Sequence, residues 1–69
     1  MTDSDIRGQL DAYYIAPTLL LPSDKRDWYS VQMAGRAYID ALLHCEHITI
    51  ERYQHLCTWL YQTVDRERR

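Results

Sequence analysis

From Trp28 onward, the side chains Trp28, Val31, Gly35, Tyr38, Leu42 and Cys45 follow one another at spacings of 3, 4, 3, 4 and 3. Such alternation lines residues up along one face of an α-helix, whereas a strand needs a period of two. A second run, Ile50, Tyr53, Cys57, Leu60 and Val64, thickened by Leu56 and Tyr61, repeats the pattern after a short break. The spacing therefore predicts an all-α fold in which two long helices pack seam to seam.

Capping signals place the ends of these helices. Ser23, with Asp24 and Asp27 after it, is expected to start a long helix spanning 23–47, because acidic groups suit the positive end of the helix dipole. Around His44–His47 the pattern stops. Thr49 is the expected N-cap of a second helix over 49–66, with Ile48 and Tyr53 at the two positions of a hydrophobic staple. Gly35 lies within the first seam, where a helix-interior glycine costs about 1 kcal/mol relative to alanine. Close approach of another backbone would offset that cost. Joined by a tight turn, the two helices read as an antiparallel hairpin.

Residues 1–22 read as an N-terminal segment. A short helix is expected from Asp3 to Ile15, capped by Asp3 or Ser4, with Ile6, Leu10 and Tyr13 or Tyr14 at helical spacing. Beyond it, Pro17 and Pro22 bracket Thr18 and three leucines, and each proline disfavours helix in the residue before it. The expectation is an extended apolar linker lying across the core. A bare hairpin cannot cover two stripes this wide. The chain is thus read as a single domain, 1–69, whose hairpin gains cover from the N-terminal extension and from a second copy, a homodimer with a four-helix arrangement. Trp28, Val31, Gly35, Tyr38, Leu42, Tyr53, Leu56 and Leu60 are the expected core and dimer residues.

Composition narrows the function. At 69 residues the chain is one domain at most, and 46% hydrophobic content with two Gly and two Pro argues for folding over disorder. The net charge of −2 is concentrated in residues 1–23, and the only basic cluster is Arg66, Arg68 and Arg69. A general nucleic-acid binder presents a basic face, which is missing here. Glu51, Arg52, Gln54 and His55 open the second helix with residue types that can touch base edges, but both helices are long for a helix–turn–helix reader. Two cysteines and no charged-then-apolar opening segment make the cytoplasm the expected address. No apolar run approaches the roughly 20 residues of a membrane span.

His44, Cys45, His47, His55 and Cys57 are the residue types that zinc prefers, yet Cys45 lies about two helical turns from the level of Cys57 in a hairpin, and no paired metal motif occurs. The same separation disfavours a disulfide. Catalysis needs a nucleophile, a base and an orienting group converging in a cleft, and so small a helical chain offers none; neither enzyme activity nor a cofactor is expected. The aromatic inventory, six Tyr and two Trp against no Phe, points to half-wet surfaces instead. Tyr29, Met33, Arg36 and Asp40 recur at spacings of 4, 3 and 4 on a strip beside the first seam, presenting residue types that dominate protein interfaces. Trp59, off the second seam, is expected to extend that surface, as are Tyr13 and Tyr14. Dimer contacts explain these aromatics equally well.

With the acidic opening, the proline-bracketed leucines and the stretches PSDKRDWYSVQMAGRAYIDALL and ITIERYQHLCTWL in view, the chain resembles the small anti-quorum-sensing proteins of Pseudomonas phages. The resemblance covers its whole length. It implies a homodimeric inhibitor in the host cytoplasm that binds the DNA-binding domain of a LuxR-type activator and keeps it from its operator. It further implies a type IV pilus assembly ATPase as a second partner, whose block would exclude other phages. An oligomerisation or adaptor module and a small DNA-binding repressor are the alternatives left open.

Overall fold

The computed structural model describes residues 1–69 and is helical almost throughout, with no strand. Helix α1 (Asp3–Leu10) opens one residue earlier than expected, on Thr2. The Thr2 hydroxyl accepts from the Asp5 N–H and the Asp5 carboxylate accepts from the Thr2 N–H, each at 3.1 Å, a reciprocal capping box.

The first half of the expected extended linker, Ala16–Leu19, is instead helical. Pro17 has no N–H, and in an α-helix its ring would crowd the carbonyl of Tyr13 four residues back. The backbone widens into a π-helical segment, Asp11–Ile15, in which the Ala16 N–H reaches back five residues to the Asp11 carbonyl. Helix α2 (Ala16–Leu19) then carries Pro17 in its first turn, where a missing N–H costs nothing. Thr18 Oγ1 donates to the Tyr14 carbonyl at 2.8 Å. The wide turn also resets the rotation of the rod. Ile15, five residues after Leu10, is buried alongside Ile6 and Leu10, whereas Tyr13 points outward and Tyr14 is half-buried.

Leu19, Leu20 and Leu21 end the rod at an exposed bend and do not lie across the core; Leu20 is 88% exposed. Arg26 fastens the bend, donating from Nε to the Leu21 carbonyl at 2.9 Å and from Nη2 to the Leu19 carbonyl at 3.0 Å. It satisfies carbonyls that a helix end leaves free. Ser23–Lys25 form one 3-10 turn, so the long helix α3 (Trp28–His44) starts well after Ser23. Its N-cap is Asp27, which accepts from the Ser30 N–H at 3.0 Å and the Ser30 hydroxyl at 2.7 Å. Two donors to one carboxylate outcompete the Ser23 hydroxyl as a cap.

α3 ends in a Schellman turn: the His47 N–H bonds the Leu42 carbonyl at 2.9 Å, the Glu46 N–H bonds the Leu43 carbonyl at 3.0 Å, and Glu46 takes φ 60°. Helix α4 (Ile50–Glu67) begins on Thr49 as expected, its hydroxyl accepting from the Arg52 N–H at 3.2 Å. Ile48 is buried and Tyr53 half-buried at the staple positions.

α3 and α4 fold back on each other, and the N-terminal rod packs against both. Ile6, Leu10 and Ile15 from the rod, Val31, Ile39 and Leu42 from α3, and Leu56, Leu60 and Val64 from α4 make one core. Gly35 marks the meeting point. A β-carbon there would stand 3.0 Å from Leu60 Cδ2 and 3.5 Å from Leu10 Cδ2, so one glycine admits both neighbouring helices.

Of the expected core residues, Val31, Gly35, Leu42, Leu56 and Leu60 are buried, and Trp28, Tyr38 and Tyr53 are half-buried against them. Two seam positions are corrected. Cys45 is exposed because it lies beyond the last turn of α3, and Ile50 is exposed because it is the first residue of α4. Ile39, fully buried, fills the place between Gly35 and Leu42, and Thr63 is buried on α4. The rod supplies the third side of the core, the cover that the sequence assigned in part to the N-terminal segment.

Candidate protein-interaction surface

The four residues of the predicted strip do share the solvent face of α3. Tyr29 is 71% exposed and Met33 48% exposed, Arg36 is exposed, and Asp40 is half-buried where the strip runs in beside α4. Spanning three turns of an intact helix, they are held in line by backbone geometry alone.

Two tyrosines of α4 complete the site. Arg36 Nη1 donates to the Tyr61 hydroxyl at 2.8 Å, and the Tyr53 hydroxyl also faces the guanidinium. These two hydroxyls, Tyr53 first and then Tyr61, favour the charged guanidinium and raise its pKa further. Tyr53 in turn lies against Asp40, whose carboxylate holds the phenol protonated and pushes its pKa up; burial adds to this and Arg36 opposes it. Asp40 and Arg36 do not form an ion pair with each other. The Cys57 thiol sits beneath Tyr53, and burial raises its pKa above the usual thiol value, leaving an inert buried sulfur.

Tyr53 and Tyr61 read from the sequence as core aromatics, so their hold on Arg36 was missed. The signal lies in the hairpin register. Arg36 is 12 residues before Ile48 and Tyr61 is 12 after Thr49, which places them at one level once the turn is centred between Ile48 and Thr49.

Trp59 is not brought to this strip. It lies half-buried on the flank of α4 that meets α1, with the Arg7 guanidinium 5.7 Å from its ring centroid. Arg52, on the same flank, bonds the Asp3 carboxylate at 2.8 Å and the Met1 carbonyl at 3.0 Å. No family model, curated protein or solved structure matches this chain. The surface therefore has to be read from its own chemistry. No three His, Cys, Asp or Glu side chains converge as metal ligands, and Cys45 and Cys57 are both free thiols. No helix is long and apolar enough to cross a membrane.

A second exposed region adjoins α3 on its other side. Tyr13, Tyr14, Pro17 and Leu21 from the rod and Val31 and Ala34 from α3 line a shallow, mainly apolar groove of about 420 Å³. The leucine bend stands at its end, so the apolar surface that the sequence assigned to the interior is presented to the outside.

Proposed function

We propose that the chain is a protein-binding inhibitor that seizes a host regulator through Tyr29, Met33, Arg36 and Asp40. The observation that carries this reading is the combination, on one rigid helix face, of a 71% exposed tyrosine, an exposed methionine and an arginine already fixed by a tyrosine hydroxyl. Tyr and Arg are the residue types that concentrate binding energy, and a side chain ordered in advance loses less entropy on binding. The resemblance of the sequence to phage anti-quorum-sensing proteins supplies the partner: the DNA-binding domain of a LuxR-type activator, kept from its operator, with a type IV pilus assembly ATPase as a second target. A homodimer belongs to the same proposal. The exposed leucines and the groove beside them support it as the apolar surface a second copy would cover.

The test is competition. Added to a LuxR-type DNA-binding domain on its operator, the chain should release the DNA. The double variant Tyr29→Ala, Arg36→Ala should bind the regulator roughly 30-fold more weakly or worse, at about 2 kcal/mol for loss of hot-spot residues, with an unchanged helical circular dichroism spectrum. Release that is undiminished in the double variant would place the contact elsewhere, and no release by the unmodified chain would refute the reading.

A further inference from the structure

Arg36 stands on the candidate interface strip with no carboxylate partner, unlike the four arginines of α4 and the C-terminus. Arg52 pairs with Asp3, Arg66 with Glu67, and Arg68 and Arg69 with Asp65. Arg26 spends its donors on two carbonyls, and Arg7 lies over the Trp59 ring. Arg36 forms no ion pair and meets neutral phenol oxygens: of its five N–H groups one donates to Tyr61 at 2.8 Å, and the Tyr53 hydroxyl also faces the guanidinium. The acids within its neighbourhood are engaged elsewhere: Asp40 with Tyr53, and Asp65 with Arg68 and Arg69. What remains is an exposed guanidinium with N–H groups free for a further acceptor, next to exposed Tyr29 and Met33. A polar groove lined by Gln32, Tyr61, Gln62, Asp65 and Arg68 runs beside Tyr61, with Asp65 already paired to Arg68 and Arg69.

We infer that Arg36 is the recognition point for a carboxylate carried on a helical segment of the partner, whose apolar residues lie along Tyr29 and Met33. The inference deepens the protein-binding reading and rests on it. Charge complementarity selects the occupant: a carboxylate matches the planar fork with two parallel hydrogen bonds, and Gln32 and Gln62 can flank it with neutral amides. The straight run from Tyr29 to Asp40 suits another helix lying alongside, since both surfaces then repeat at 3 and 4 residues. A lysine in place of Arg36 would keep the charge and lose the fork.

The experiment uses the full chain and two capped amphipathic peptides of identical leucine face, one edged with glutamates and the other with glutamines. Binding is followed through the Arg36 side-chain Nε–H resonance and the backbone amides of α3. The glutamate peptide should shift the Arg36 resonance and bind about tenfold or more tightly than the glutamine peptide. Arg36→Gln should remove that preference, and Arg36→Lys should restore only part of it. Equal binding of the two peptides, binding of neither at about millimolar concentration, or an unchanged preference in Arg36→Gln overturns the proposal. The protein-binding reading is judged separately. If the regulator complex survives Arg36→Gln at full affinity, the carboxylate contact is wrong and the interface stands; if the unmodified chain forms no complex, the interface falls whatever the peptides do.

Discussion

The two glycines occupy opposite environments, although both sit in helices. A β-carbon at Gly8 would meet nothing within 4 Å, whereas one at Gly35 would press on two Leu60 methyls at 3.0 and 3.1 Å. Leu60 is fully buried and has nowhere to swing. Gly8→Ala should therefore stabilise the chain by about 0.5–1 kcal/mol through helix propensity. Gly35→Ala should destabilise it, because overpacking of about 1–3 kcal/mol outweighs the same gain. Urea midpoints of the two variants decide this, and a stabilised Gly35→Ala would mean that the three helices can move apart. Gly35 was legible in the sequence as a close-approach site, since a glycine inside an apolar seam has few other uses. Ile39 was not, because Tyr38 and Ile39 both fit helical spacing between Gly35 and Leu42, and spacing alone does not say which of the two faces the core.

Among the elements, helix ends were legible where one cap had no rival and obscure where two competed. Thr49 followed a clear break and is the cap of α4. Ser23 and Asp27 both offered oxygens, and Ser30 decided between them by donating twice to Asp27. The partner of a cap lies downstream, so the choice cannot be made from the capping residue alone. The far end of α3 carries a cost. Glu46 adopts φ 60°, a left-handed conformation that burdens any residue with a β-carbon. Glu46→Gly should raise stability by about 1 kcal/mol, read as a higher thermal midpoint, while the His47 N–H bond to Leu42 persists. A lowered midpoint would show that the Glu46 side chain contributes more than its backbone conformation costs.

At the scale of the molecule, a small core is completed by a segment that read only in part as helix. Prolines are strong helix breakers on average, and the sequence could not show that one wide turn would absorb Pro17 and carry the rod onward. Hence the hairpin was legible, and so was the need for cover from the N-terminal segment, but the second half of that segment was expected as an extended linker and part of the cover was assigned to a second copy. The site was legible as a strip on α3, since it depends on spacing within one helix; its α4 half depends on the register between helices. The titrating groups set the pH range of the whole. Asp5, bonded by Thr2, Asp27, bonded by Ser30, and Asp65, bonded by Arg68, are all held below the ordinary aspartate value of 3.8. Their stabilisation is complete above that value and drains away as the pH falls through the lowered ones. Tyr38, by burial, and Tyr53, by its contact with Asp40, are held above the usual 10.0. Their contribution is whole below 10.0 and is lost as the pH rises through the raised values. Urea midpoints should thus form a plateau bounded by acid and alkaline declines, and Tyr38→Phe should soften the alkaline one. A decline centred near neutrality would contradict this assignment.

The wide turn at Asp11–Ile15 gives the N-terminal rod one residue more than an α-helix of the same length would hold. Deleting Ala12 would bring Ile15 to ordinary α spacing from Leu10, yet it would also press the Pro17 ring onto a carbonyl. Pro17→Ala removes that obstacle. The deletion alone should therefore lower the thermal midpoint well below that of the parent, and in the Pro17→Ala background its cost should shrink. Additive costs would show that the proline and the extra residue are unrelated. If the costs are coupled, the gain and loss of a residue in this rod is contingent on a proline five positions away, and the order in which the two changes arise decides which sequences descendants of this chain can reach.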